Sequence, residues 1–204
     1  MPTDTMASSR QSQAERRART QNALLESAAR GISRYGYGNL VLERVAGEAG
    51  VTRGALYHLF EDKEDLALAV VAWVADTWQQ EVNLLADRDA DHVAAMIGLA
   101  RGHAVYCRRD VARVMMMLRV EFSGRDHPVG RAIEEHVETL VKRFARLIRA
   151  GRKSGSVPSG PPARTLALAI VGALEGTVIQ LAGQEPYDEL LAERVVRGLL
   201  GLDT

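Results

Sequence analysis

The chain has 204 residues, 47% of them apolar and 25% charged, and its 26 Lys+Arg balance 26 Asp+Glu. That length allows one domain or a small module fused to a larger one, and the apolar share is enough to bury a core. A single cysteine, Cys107, excludes a disulfide framework and any multi-cysteine zinc site and fits a reducing cytoplasm. Residues 1–12 lack the apolar stretch of a secretion signal, and no uninterrupted apolar run reaches the ~18 residues of a membrane span. A soluble cytoplasmic protein is expected. The neutral total hides an asymmetry: residues 1–60 carry eight Arg against five acids, +3, and the remainder is −3. A polyanion would meet the front of such a molecule and be repelled by the back.

The fold class expected is all-α. Of the six prolines none lies between Pro2 and Pro128, no period-two hairpin pattern occurs, and apolar residues recur at three and four. Leu24, Leu25, Ala28, Ala29 and Ile32 form one such stripe, and Val137, Leu140, Val141, Phe144, Leu147 and Ile148 another. Helices are predicted, in chain order, at about 13–35, 42–48, 52–59, 62–85, 91–108, 110–123, 128–152, 162–182 and 187–201. The first ends at the glycines of Tyr35-Gly-Tyr-Gly38. Asp62 is the expected N-cap of the fourth, with Glu64 and Asp65 in its first turn. Ser123 or Asp126 is the expected cap of the seventh. Gly151 to Pro162 is a linker by composition.

The short pair of helices is the informative part. In Val45-Ala-Gly-Glu-Ala-Gly50-Val-Thr-Arg-Gly-Ala-Leu56-Tyr-His-Leu59-Phe60, Ala46 permits close helix approach and Gly50 accepts a positive φ in the turn. Val45, Val51, Leu56 and Leu59 fill the wedge, and Thr52 caps the second helix. With Leu56, Leu59 and Phe60 inward, Arg53, Gly54, Tyr57 and His58 share the opposite face, which holds no large aliphatic residue. That surface suits a major groove, with the first turn at base edges. A tight helical hairpin inside a bundle would show part of this pattern.

The stretch from Gly38 to Leu66 resembles the DNA-binding module of TetR-family transcriptional regulators, above all in Ala-Gly-Val-Thr-Arg-Gly-Ala-Leu-Tyr-His-Leu-Phe-Glu-Asp-Lys63. The resemblance implies an arm at 1–12, a helix-turn-helix domain at 13–62 and a ligand-binding and dimerisation domain at 63–204. It also implies that Thr52, Tyr57 and His58 contact phosphate, that Arg53 and Ala55 face bases, that Gly54 allows close approach, and that Lys63 anchors the backbone. The family usually has Ser or Thr where Val41 stands, so the cap of the first short helix falls to bare N–H groups or Asn39. Arg10, Arg16, Arg17 and Arg19 read either as a basic arm on DNA or as a solvated tail.

Candidate pocket residues of the larger domain are Trp78, Met96, His103, Tyr106, Met115, Met116, Phe122 and Phe144. Deformable methionines and flat aromatics could line an apolar cavity, or simply be core. The helix at 162–182 is apolar on two sides around Glu175. With the last helix it suggests a two-fold interface through Leu168, Val171, Gly172, Glu175, Ile179, Leu191, Val195 and Leu199, or burial within one chain. No dinucleotide, Walker or His-Glu-x-x-His motif occurs, and His103 with Cys107 lacks further metal ligands, so neither an enzyme nor a cofactor or metal is expected. The expected function is a homodimeric, sequence-specific DNA-binding regulator, a repressor released from a palindromic double-stranded operator by a small, largely hydrophobic effector. The alternative is a helical ligand-binding or adaptor protein that no longer binds DNA.

Overall fold

The computed structural model describes residues 13–83 and 91–202. The expected arm at 1–12, Arg10 within it, and the predicted end of the fourth helix at Leu85 lie outside the described residues. Nine α-helices occur among the described residues, with no strand: α1 Gln13–Tyr35, α2 Leu42–Glu48, α3 Arg53–Leu59, α4 Lys63–Trp78, α5 His92–Tyr106, α6 Val114–Glu121, α7 Pro128–Ser154, α8 Ala163–Leu181 and α9 Tyr187–Leu200. A π-helical turn, Gln79–Asn83, prolongs α4, and a 3-10 turn, Asp110–Arg113, leads into α6.

The helices α1 to α3 form a small head. Leu24, Leu25, Ala28, Ala29 and Ile32 bury one stripe of α1. The Ser27 hydroxyl, wholly buried, donates to the Val45 carbonyl at 3.0 Å and ties α1 to α2. Gly50 adopts φ +69°, which any side chain would strain, and the chain then closes with Val51 N–H on the Ala46 carbonyl at 3.0 Å. Thr52 caps α3 as its sequence predicts, its hydroxyl accepting from Ala55 N–H at 3.2 Å. Asp62 caps α4 by accepting from Asp65 N–H at 2.9 Å. At α2 the N-cap is Val41 with no side-chain bond. Asn39 does not substitute for it, because its amide donates to Tyr35 O at 2.9 Å and finishes α1 instead.

The remaining helices make the larger body, which shares one continuous apolar core with the head, from Leu24 to Leu200. The cap of α7 differs from the expected Ser123 or Asp126. His127 caps it, Nδ1 accepting from Val129 N–H at 3.2 Å, while Asp126 is drawn to Arg131. Helix α9 packs against α5 and α8. Its first turn is pinned by the Arg108 guanidinium, which forks onto Asp188 at 2.8 and 2.9 Å and also reaches Glu189 and Glu185. Arg108 holds the Asp188 carboxyl below the usual carboxylate range. Helix α8 is long and apolar enough to cross a membrane by length and composition, but its inner side packs in this bundle.

The Ser27 bond gives a test of how the head is held. Ser27→Ala removes that donor while the Val45 carbonyl keeps Ala49 N–H at 3.0 Å, and should destabilise the protein by about 0.5–1.5 kcal/mol in chemical denaturation. A change within the ~0.5 kcal/mol of an ordinary surface substitution would mean the bond contributes nothing.

Candidate DNA-reading face and effector cavity

Helix α3 turns Leu56 and Phe60 inward and leaves Thr52, Arg53, Gly54, Tyr57 and His58 exposed, with Ala55 half-buried beside them. The Arg53 guanidinium lies over the Tyr57 ring at 5.3 Å and pairs with Glu43 of α2 at 3.2 Å. Both partners are well exposed, so this pair is weak and readily exchanged. A Cβ at Gly54 would meet nothing closer than the Thr52 hydroxyl at 3.9 Å, so the first turn is open to a close-approaching surface. Lys63 is half-buried and engaged. Its Nζ donates to Gly38 O at 2.8 Å and sits 4.5 Å from the Tyr37 ring centre, and burial lowers its pKa. Arg16, Arg17 and Arg19 are exposed on the first turns of α1.

Behind the head, the loop after α1 receives a carboxylate from the body. Tyr37 N–H and Gly38 N–H each donate to Glu121 of α6 at 2.7 Å. A Cβ at Gly36 or Gly38 would stand 3.1 or 3.3 Å from those oxygens, so the glycines admit the carboxylate. Around this bond, Phe122 stacks on His127 at 4.2 Å, and Tyr37 meets Phe122 edge-on at 5.1 Å. His127 Nδ1 accepts at the α7 cap, and its Nε2 stands 3.3 Å from Glu64 of α4. Glu121 and His127 were not among the expected site residues. The pair of glycines flanking Tyr37 was the sequence trace of the close approach, but it gave no hint of the partner.

A cavity of about 90 Å³ lies in the body between α4, α5, α6, α7 and α8. Trp78, His103, Tyr106, Met115, Met116 and Phe144 line it, all expected from sequence. Two expected residues do not. Met96 is wholly buried on the core side of α5, and Phe122 is drawn out to the Tyr37–His127 stack at the head. Trp78 Nε1–H donates to His103 Nδ1 at 3.0 Å, and the Tyr106 hydroxyl meets that of Thr77 at 2.7 Å. Burial and the nearby His136 push His103 down to about 4 and keep it neutral. Burial raises the Cys107 thiol to about 12. Among the described residues no cluster of metal-ligating side chains occurs. The charged residues of the wall are Arg113, Arg119 and Glu175; Arg119 of α6 is bound to both oxygens of Glu175 at 2.6 and 2.7 Å and to Glu134 at 3.0 Å. Burial raises the Glu175 pKa against the opposing pull of Arg119.

The outer side of α8 and α9 divides the expected interface set. Leu168, Gly172 and Ile179 are exposed, as are Leu191 and Leu199, and Val195 is half-buried. Val171 and Glu175 belong elsewhere. They fall on the flank of α8 that turns with Leu174 and Val178 into the cavity, and the long Glu175 side chain reaches in to Arg119. Side chains at 171, 174, 175 and 178 follow the three-four spacing of one helix face.

A three-helix head exposing the polar face of its third helix, carried on a helical body with an internal cavity, is the architecture of a helix-turn-helix regulator with its own sensor domain. Residues 24–70 match the family described as bacterial regulatory proteins, tetR family. Over 182 residues the chain is 27% identical to the HTH-type transcriptional repressor BepR of Brucella suis biovar 1, spanning 85% of this chain and 86% of that one. Its fold is that of FadR from Bacillus subtilis, solved with stearoyl-CoA, at TM-score 0.76 and 19% identity over 90% of this chain and 99% of that one. AibR, solved with isovaleryl coenzyme A and operator DNA, has TM-score 0.72 and 19% identity over 90% and 100%. The chain belongs to the tetR family of bacterial regulatory proteins.

The neutral buried imidazole sets a pH dependence. The unfolded chain takes up a proton at His103 below about 6.5, whereas the folded one resists until about 4. Stability is therefore full above pH 6.5 and falls as the pH drops towards 4, by up to about 2 kcal/mol at pH 5. His103→Gln should flatten the change in Tm between pH 7 and 5, and an unchanged slope would assign the acid sensitivity to other groups.

Proposed function

We propose that the protein is a homodimeric transcriptional repressor that leaves a palindromic operator when a small, largely apolar effector fills the body cavity. The observation that carries this reading is the α3 face, where Thr52, Arg53, Gly54, Tyr57 and His58 are solvent-exposed while Leu56 of the same helix and Phe60 at its end are buried. Arg53 and Ala55 would meet bases, and Thr52, Tyr57 and His58 phosphates. Lys63 already holds Gly38 O, so its role is to brace the head as well as to approach the backbone. The division into a head at 13–62 and a body at 63–204 follows from these roles. The exposed Leu168, Gly172, Ile179, Leu191 and Leu199 would pair α8 and α9 with their mates, the small Gly172 admitting close contact. Such a dimer would set two copies of α3 one helical turn of DNA apart, ~34 Å. Repression by BepR and the operator-DNA complex of AibR support the role, and the ligands solved with AibR and FadR support an internal effector site.

Release would run through α6. Met115, Met116 and Arg119 face the cavity from this helix, and Glu121 at its end grips the head. A cavity of about 90 Å³ holds only several water-sized volumes, each needing ~10–15 Å³. A larger effector must therefore displace a wall, and displacement of α6 would drag the loop at Tyr37 and Gly38. Coupling of this kind is typically ~1–3 kcal/mol, or ~5–150-fold in operator affinity.

Two outcomes test the proposal. Selection of bound sites from random DNA should yield a palindrome, and Arg53→Ala should relax one position in each half-site by roughly 1–3 kcal/mol. An unpatterned pool, or an unaltered preferred sequence in the variant, would overturn base reading by α3. Glu121→Ala should shrink effector-driven release towards onefold while effector affinity of the free protein holds. A wild-type release factor in that variant would exclude α6 as the connection.

A further inference from the structure

We infer that the effector carries a multiply anionic, phosphate-bearing head that lies outside the cavity on a cationic groove of α7, its apolar chain passing inward beside Trp78 and His136. This rests on the cavity being the effector site. A second recess, of about 750 Å³, adjoins the first, and Trp78, His136 and Leu140 line both. The two differ in chemistry. The inner cavity is walled mainly by aliphatic, methionine and aromatic side chains, whereas Lys142, Arg143, Arg146 and Arg149 line the outer groove with one acid, Asp76, among the described lining residues. The Trp78 indole N–H is already held by His103, so Trp78 offers a chain its ring surface rather than a donor where the two recesses meet.

Two members of this stripe lie outside the ion pairs of the described residues. Elsewhere on the body Arg101, Arg108, Arg109, Arg119, Arg164 and Arg197 each meet a carboxylate within 3.3 Å. In the groove, Arg146 and Arg149 are exposed and form no ion pair among the described residues. Lys142 is 3.9 Å from Glu138, whose two oxygens are bound by Arg164 at 2.6 and 2.9 Å. Like charges three and four apart destabilise a helix, so a ligand that neutralises them gains from the arrangement. Paired guanidinium forks match phosphate oxygens, and a dianion gains more from them than a carboxylate does. Operator DNA is not the occupant. The stripe begins 14 residues beyond Pro128, the end of α7 that meets the head, which is ~20 Å along the helix.

Calorimetry on the full-length protein with dodecanol, dodecanoate and dodecyl phosphate varies the head charge on one chain. Dodecyl phosphate should bind most tightly and lose affinity as salt is raised. The double variant Arg146→Ala/Arg149→Ala changes two exposed side chains; it should bind dodecyl phosphate about tenfold or more weakly and dodecanol unchanged. Farnesyl diphosphate in parallel separates isoprenoid from straight chains, and preference for either phosphate over dodecanol upholds the groove. Equal affinity for the three heads, or an unchanged phosphate affinity in the double variant, would overturn the groove and leave the cavity intact. Binding of none of them would overturn both. Groove-dependent binding without operator release would uphold the site and overturn its regulatory role.

Discussion

The orientation of the head depends on one carboxylate. Glu121 accepts the consecutive N–H groups of Tyr37 and Gly38, in a loop that has left α1 and not yet entered α2. Side chains also meet two carbonyls here, Tyr35 O by Asn39 of the same loop and Gly38 O by Lys63 of α4. Apolar contacts such as the Phe122–His127 stack pull head and body together but have little directional content. Two short charge-assisted bonds from adjacent amides do fix direction. A Cβ at 36 or 38 would press the carboxylate back by a few tenths of an ångström.

The same helix ends where the cavity begins. Within eight residues α6 presents Met115, Met116 and Arg119 to the interior and Glu121 to the head, so a displacement at one site is a displacement at the other. Arg119 makes this wall polar as well as deformable. Its pairing with Glu175 joins α6 to α8, and a ligand group competing for either partner would loosen that link. Removing one member of a partly buried ion pair leaves the other uncompensated, which makes the pair sensitive to what enters beside it.

Sequence periodicity revealed the longer helices because they bury stripes at three-four spacing, the small residues and turn glycine at 46–50 marked α2 and α3, and capping chemistry located Thr52 and Asp62 because their partners are local. The exposed polar face of α3 was legible for the same reason: Leu56 and Phe60 inward force Arg53, Tyr57 and His58 outward. What escaped depends on contacts distant in the chain. Phe122 looks like a pocket aromatic until Tyr37 and His127, both remote from the cavity, claim its ring. Val171 and Glu175 look like interface residues until the neighbouring helices decide which of two apolar sides of α8 is turned in. Glu121 lies 83 residues from Gly38, and no local pattern announces that bond.

Which wall yields to a ligand follows from how each is fastened. Helix α8 is 19 residues long, is held by Arg164 to Glu138 of α7, and packs on α9, whose first turn is locked by Arg108. Helix α6 has eight residues, begins from a 3-10 turn and runs directly into the loop around Gly124, φ +71°. Short elements with few packed neighbours open at lower free energy than long ones in the core. An effector pressing on both walls would therefore move α6 and leave α8 in place. A seam formed by the outer side of α8 would stay fixed while the heads rotate about it, converting a change in cavity volume into a change in the spacing of two α3 helices.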